Sequence, residues 1–381
     1  MKVGITGAAG FLGTHLQLAI KAYRPEWDIS TITRRETSSD LLLDDALAGV
    51  DVVFHLAGVN RAADDQVEQG NVELARLLSD SLDRVRSTAD IVYANSIQAD
   101  LDNPYGRGKA AAAAVLRKSA EGRGSQFFDV RFPNLFGEGG RPYYNSFVAT
   151  FVAKVVAGED PVVENDRTIR LVHAQDAAEH LIGLLGDSPE VHPLEGFDVR
   201  ISDVAEILAA QYAVYRYGVF PDLSSAFEMR LFNTLSAALF PDHLPIPLAQ
   251  HSDSRGTFVE ITRSLGGASQ SSFSTTKPGI RRGDHFHLRK AERFVVVKGN
   301  GLMRLRHMVT DRVVEYPVTG DNPVVVDMPT GWTHSIENIG EEEMITLFWI
   351  SEPYDPTDPD TFPAKVSDEP VRMREMDGSS Q

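Results

Sequence analysis

Short apolar runs alternate with longer amphipathic ones through the first two-thirds of the chain. Apolar runs at residues 2–6, 51–56, 91–94 and 127–132 carry the strand signature, and segments 11–23, 71–86 and 104–119 repeat their apolar positions at helical spacing. Strand and helix in alternation is the pattern of βαβ units, so this part predicts an α/β domain with a doubly wound parallel sheet. Helical periods at 202–215 and 224–239 extend it. The stretch PDHLPIPLAQ, residues 241–250, has three prolines and no period and reads as a linker, giving a first domain over 1–243 and a second over 244–381. Beyond it, β-rich runs at 257–262, 294–297, 324–327 and 344–350 are separated by Gly, Pro and Asn without a helical period. That predicts an all-β domain, an antiparallel sandwich or small barrel. From Glu352 the chain is rich in Pro and Asp and reads as an irregular wrap or a partly disordered tail.

Composition narrows the partners. With 37 Lys and Arg against 54 Asp and Glu the net charge is −17, a field that repels nucleic acid and anionic lipid, so neither is an expected partner and any anionic ligand must be held by local basic groups. Cys is 0, which excludes disulfides and thiolate zinc sites and leaves His and carboxylate as metal ligands. The opening MKVGITGAAG is too short and Gly-rich for a signal peptide, and no apolar run approaches the ~18 residues of a membrane helix, so a cytoplasmic location is expected.

The first domain carries two pieces of chemistry. Gly7-Ala-Ala-Gly10-Phe11-Leu12-Gly13 follows the first strand and opens a helix, where glycines let the backbone approach a pyrophosphate that the helix N-terminus stabilises. At the end of the second strand stands Thr33-Arg34-Arg35-Glu36, and an arginine there can pair with a 2′-phosphate, favouring NADPH, although Glu36 also fits the carboxylate of an NAD site. Downstream, Tyr105 and Lys109 lie four apart at the start of an Ala-rich helix, on one face. A lysine so placed is expected to lower the tyrosine pKa, making the phenol a proton donor near neutral pH, while Ser96, just past a strand, can hydrogen-bond a substrate oxygen.

TGAAGFLG, the HLAG of residues 55–58, Ser96, Tyr105 with Lys109, and Arg131-Phe-Pro-Asn134 together resemble the extended short-chain dehydrogenase/reductases, across nearly all of residues 1–240. The resemblance implies a Rossmann-type fold, a nicotinamide cofactor that also touches Leu56, Ala57 and Gly58, and a nucleotide-activated sugar held by Asn134, Asn145 and Arg170. In the second domain, Gly279…His285-x-His287…Glu292…Gly299 is similar to the first cupin motif, and Pro329-Thr-Gly331-Trp-Thr-His334 to the core of the second. On a strand, residues 285 and 287 share a face, so both imidazoles can enter a barrel together. The resemblance adds Glu292 and His334, a three-His, one-carboxylate set that suits Zn²⁺, Fe²⁺ or Mn²⁺, with zinc the expected ion. A further fragment, Asp253-Ser-Arg255-Gly-Thr-Phe258-Val-Glu260 with Arg282-Gly-Asp-His285, resembles the dTDP-4-keto-6-deoxyhexose 3,5-epimerases, in which that histidine is the base. His285 therefore has two competing roles, metal ligand and base.

Joined, the halves resemble the CapF-type bifunctional enzymes of capsular and O-antigen polysaccharide synthesis. That implies a UDP-activated 4-keto-6-deoxy amino sugar, epimerised at C3 by the cupin domain and reduced at C4 with NADPH, and, by analogy with both folds, a homodimer. Alternative readings are a UDP-sugar 4-epimerase or dehydratase with retained NAD and a structural cupin, a dinucleotide-sensing protein, and a cupin oxygenase.

Overall fold

The structure is a computed structural model that describes residues 1–185, 194 and 196–367. Two compact units emerge: residues 1–243 with 262–268, and residues 244–261 with 269 onward. In the first unit the chain runs β1 (Lys2–Thr6), α1 (Phe11–Tyr23), β2 (Asp28–Ile32), α2 (Asp40–Leu47), β3 (Val52–His55), α3 (Asp64–Arg84), β4 (Asp90–Ser96), α4 (Pro104–Arg123) and β5 (Phe127–Phe132). There follow β6 (Asn134–Phe136), α5 (Phe147–Val156), β7 (Thr168–His173), α6 (Ala174–Gly183), β8 (Phe197–Arg200), α7 (Ile201–Tyr215), β9 (Val219–Asp222) and α8 (Ala226–Leu239).

Strands β2-β1-β3-β4-β5 pair in parallel in that order. Their apolar residues are buried on both faces, as a parallel sheet requires. One face packs Leu16, Ala19 and Ile20 of α1 with Ala177, Ala178 and Leu181 of α6. The other packs Leu43 and Leu47 of α2, Ala75 and Leu78 of α3, and Ala112 and Leu116 of α4. Strand order reverses between β1 and β3, and ligands of such sheets bind in the crevice at the carboxyl ends there. Gly7 follows β1, Leu56 to Gly58 follow β3, and Ser96 ends β4, so the topology gathers these motifs at one sheet edge.

The second unit opens with β10 (Ile246–Pro247) and the hairpin β11 (Gln250–Asp253) and β12 (Gly256–Val259). The chain returns to the first unit for β13 (Arg263–Gly266), parallel to β9. It then completes the β domain with β14 (Gln270–Thr276), β15 (Arg281–Phe286), β16 (Glu292–Lys298), β17 (Asn300–His307), β18 (Val313–Thr319), β19 (Val324–Met328), β20 (Trp332–Asn338), β21 (Met344–Ile350) and β22 (Phe362–Pro363). Two five-stranded sheets result, β10-β19-β16-β21-β14 and β18-β17-β20-β15-β22, with antiparallel pairing throughout, a cupin-like β domain. In the first of them Arg293 donates to both carboxylate oxygens of Asp327 at 2.7 and 2.8 Å, a fully buried fork that fixes β16 on β19.

Two expectations from the sequence are corrected. The strand expected over 257–262 stops at Val259 and belongs to an exposed hairpin, because Thr257 and Phe258 find partners only on β11. Ile246 and Pro247, inside the Pro-rich stretch, pair with Val325 and Val324 of β19, so that stretch is partly sheet. Of the two readings of the chain from Glu352, the irregular wrap holds for the described residues: Pro363 and Phe362 pair with His285 and Phe286, and the amide of Ala364 donates to the carbonyl of Asp284 at 2.9 Å.

Candidate functional site

The glycine loop has the geometry of a phosphate cradle. Gly7 stands at φ +69°, and a Cβ there would come within 2.9 Å of the Ala57 amide nitrogen; one at Gly13 would come within 2.4 Å of the Gly7 carbonyl oxygen. Helix α1 therefore starts tight against β1, its N-cap Gly10 offers no side chain to the first-turn amides, and no acidic residue occupies that turn. Those amides and the positive helix end suit a pyrophosphate. Phe11 and Leu12, half-buried, continue the loop. Beyond β2, Glu36 accepts from the Thr33 amide at 2.8 Å and the Thr33 hydroxyl at 2.7 Å, which hold it below the usual carboxylate range. Arg34 beside it is exposed and forms no ion pair among the described residues.

Helix α4 begins where its residues dictate. Asn103 caps it by accepting from the Gly106 amide at 2.8 Å, and Pro104 occupies the first turn. A Cβ at Gly106 would come within 2.2 Å of the Gln98 carbonyl oxygen, so the helix start lies directly against the turn after β4. That contact brings the Tyr105 phenol near the Ser96 hydroxyl. Burial nonetheless raises the Tyr105 phenol above its ordinary value, with the Ser96 hydroxyl opposing. The expected lowering by Lys109 is not observed. The Lys109 ammonium is 4% exposed, donates to the Ala94 carbonyl at 2.6 Å, and lies 4.3 Å over the Tyr93 ring. Burial pushes its pKa down to about 7, with Asp129 opposing.

Four residues given no role in the sequence reading, Thr6, His55, Asn71 and Tyr93, build the surroundings of Lys109. His55 stacks on Tyr93 at 5.6 Å and, buried next to the Lys109 charge, has its pKa pushed down to about 3, so it is neutral. The Ala57 amide donates to the Thr6 hydroxyl at 3.2 Å, and that hydroxyl is hydrogen-bonded to His55 Nδ1 at 2.8 Å. Asn71 pins the following loop through the Val59 amide and carbonyl, at 3.2 and 2.9 Å. Gly58 faces the same space, where a Cβ would stand 4.0 Å from Lys109 Nζ. The signal was present in HLAG, whose histidine carries a role that the glycine alone does not suggest.

The expected sugar-nucleotide residues are less tightly gathered. Asn134 opens β6, in register with Leu171 of β7, one position past Arg170, and Asn145 precedes the N-cap of α5; all three are exposed. Arg170 pairs with Asp198 of β8 at 3.2 Å.

In the β domain the four expected ligands meet. Strand pairing sets His285 opposite His334, and a bulge after Gly283 re-aims the strand. Gly283 has φ +96°, and a Cβ there would come within 2.7 Å of the His334 carbonyl oxygen. Nε2 of His287, His334 and His285 lie 3.0, 3.2 and 3.9 Å from one oxygen of Glu292, and one ligand atom from each of the four residues falls within 4.8 Å of every other. His287, Glu292 and His334 are buried, and their facing atoms have no other protein partner. Burial, then the His334 and His287 rings, pushes the His285 pKa down to about 3; Glu292, although burial opposes ionisation, is held well below the carboxylate range by His287 and His334. Three imidazoles and one carboxylate converging on one point fit a divalent ion.

Comparison with known proteins agrees with both halves. Residues 3–193 match the NAD dependent epimerase/dehydratase family and residues 251–362 the polysaccharide biosynthesis C-terminal domain. A relative from Pseudomonas aeruginosa, UDP-2-acetamido-2,6-beta-L-arabino-hexul-4-ose reductase, is 32% identical over 97% of this chain and 100% of its own. The chain belongs to the NAD dependent epimerase/dehydratase family. Within that family it is of the CapF type: the crystal structure of CapF, a capsular polysaccharide assembling protein of Staphylococcus aureus, is 34% identical, with a TM-score of 0.61 over 96% of this chain and 100% of that one. Bacillus subtilis SpsL, a spore coat polysaccharide biosynthesis protein, is 27% identical over 30% of this chain and 81% of its own. Membership of this epimerase/dehydratase family makes the protein an enzyme of oxidoreductase or epimerase type. Among the described residues no helix is long and apolar enough to cross a membrane.

The β-domain cluster generates the first prediction. Chelator-stripped protein given Zn²⁺ at about a hundred times its Kd should gain about 2.7 kcal/mol of stability, seen as a rise in Tm. His334→Ala should abolish that rise, and an equal rise in the variant would remove the cluster as the binding site.

Proposed function

We propose that the protein is a bifunctional nucleotide-sugar enzyme. Its β domain epimerises C3 of a UDP-2-acetamido-2,6-dideoxy-4-hexulose, and its α/β domain reduces the C4 ketone with NADPH. The product is UDP-2-acetamido-2,6-dideoxy-talose, on the way to UDP-N-acetyl-L-fucosamine for surface polysaccharide. The observation that carries the reading is the Tyr105 phenol lying close enough to the Ser96 hydroxyl to feel it, one helical turn from buried Lys109. It occurs in a chain that matches a named 4-ulose reductase over almost its whole length.

The dinucleotide, when bound, supplies the hydride that C4 receives. Ser96 positions the ketone oxygen, and the Tyr105 hydroxyl gives it the proton as negative charge develops there. The raised pKa of Tyr105 keeps that proton in place until then. Lys109 can grip the cofactor ribose once it leaves the Ala94 carbonyl, and exposed Arg34 can meet a 2′-phosphate while Glu36 is turned to Thr33. Asn134, Asn145 and Arg170 are proposed to hold the diphosphate of the sugar nucleotide. A 4-ketone acidifies the hydrogen on C3, and a divalent ion held by His285, His287, Glu292 and His334, proposed to be zinc, acts as a Lewis acid toward such an oxygen. As a ligand, His285 has its Nε2 committed, so the base that takes the C3 proton is another group. The proposed assembly is a cytoplasmic homodimer, supported by the exposed hairpin β11–β12 with Phe258 at 67% exposure and by Phe273 at 68% on the edge strand β14.

Supplied with the UDP-4-keto sugar, the protein should oxidise NADPH stoichiometrically, and Tyr105→Phe should slow this by about 10²–10⁴-fold. Unchanged kinetics would remove Tyr105 as donor, and retained NAD without net NADPH consumption would favour a 4-epimerase or dehydratase. A pH dependence follows from Lys109. Its pKa is about 7 in the free protein. Contact with the ribose favours the ammonium, so the pKa rises on binding and a proton is taken up. NADPH affinity should therefore be flat below about pH 7 and fall above it, read by fluorescence titration. An affinity constant to pH 9 would contradict the assignment.

A further inference from the structure

We infer that Asp360 is a positioning residue for the proposed metal site, acting from the C-terminal segment on two of its ligands. The inference rests on the metal reading of the β-domain cluster and goes beyond its four side chains.

The backbone carbonyl of Asp360 accepts a hydrogen bond from Nδ1 of His287. A carbonyl can only accept, so Nδ1 carries a proton and Nε2 is the nitrogen that faces Glu292. The carboxylate of the same residue closes the loop joining these two ligands. Oδ1 accepts from the Leu288 amide at 3.0 Å, and Oδ2 accepts from the amides of Arg289 at 2.9 Å and Lys290 at 2.8 Å. One buried residue, 3% exposed and at φ +39°, thus holds the Nδ1 proton of His287 and sets the path of the chain from His287 to Glu292.

The rest of the segment holds Asp360 in place. Lys290 Nζ, itself on that loop, donates to the Pro359 carbonyl at 2.9 Å and the Thr361 hydroxyl at 3.0 Å. Phe362 packs on Phe286 at 5.4 Å, and the amide of Val366 donates to the Asp284 carboxylate at 3.0 Å. The segment 359–366 therefore flanks the strand carrying His285 and locks the turn carrying His287. Outer partners of this kind orient a ligand and keep it basic, and their loss typically costs 10–100-fold in metal affinity. Removing the Asp360 carboxylate takes an acceptor from three loop amides and frees the carbonyl to leave Nδ1.

The test uses the full chain as wild type, Asp360→Ala and Asp360→Asn, stripped with chelator and titrated with Zn²⁺ against a competing fluorescent chelator. A parallel titration with Co²⁺ is followed by its visible absorption. The expected result is a Kd for Zn²⁺ weakened by roughly 10–100-fold in Asp360→Ala, less in Asp360→Asn, with a changed Co²⁺ spectrum in both. Tm without metal separates this from a purely structural role. A variant with lower metal-free Tm but wild-type Kd and Co²⁺ spectrum overturns the inference. If Asp360→Ala does not fold, Asp360→Asn decides by the same two readouts. Wild type that binds neither ion would instead remove the metal reading itself.

Discussion

Charge taken out of water and held by partners that the backbone positions is the constraint on which both halves depend. Glu292 is buried among three imidazole nitrogens, and Lys109 is buried between a carbonyl and an aromatic face. Either group alone would neutralise or cost several kcal/mol. Each is tolerated because strand register and helix start are set first, by apolar packing, and the polar partners arrive in the right places as a consequence. A site built in this way is preorganised, with little left to rearrange when a ligand enters.

The two halves reach that state by different routes. In the α/β unit the parallel sheet gathers loops at its carboxyl edge, and glycines at 7, 13 and 106 let backbone approach backbone where a side chain would collide. In the β domain, strand pairing does the gathering. The pairing of His285 with His334, the bulge beyond Gly283 and the Arg293–Asp327 fork fix the interior, and the C-terminal segment seals the turn between ligands. The proposed chemistry follows the same division: a buried phenol suits protonation of a reduced carbonyl, and a divalent ion at the four-residue cluster would suit charge that accumulates on a carbonyl before reduction.

Much of this could be read from residues alone, for identifiable reasons. Parallel βαβ structure announces itself because strands buried on both faces are continuous apolar runs, and a Gly-rich turn or a His-x-His pair has few cheaper explanations in such surroundings. The cluster of four was legible because two motifs supply its residues, although His287 lies just past the end of β15 rather than on the strand face that a period of two predicts. Less was legible where partners are distant in sequence. Nothing local links Asp360 to His287, 73 residues away, and a Pro- and Asp-rich tail carries no period to mark it as an ordered strap. The direction of the Tyr105 shift was misjudged for the same reason: a four-residue spacing predicts proximity to Lys109, whereas the lysine spends its charge on Ala94 and Tyr93, and burial of the phenol decides the sign.

If the β domain labilises the C3 hydrogen independently of reduction, then the 4-keto sugar incubated with the protein in D₂O, without any nicotinamide cofactor, should acquire deuterium at C3. The exchange should vanish on removing the metal with chelator and return on restoring it. Exchange that needs NADPH, or that persists undiminished in metal-free protein, would contradict the account.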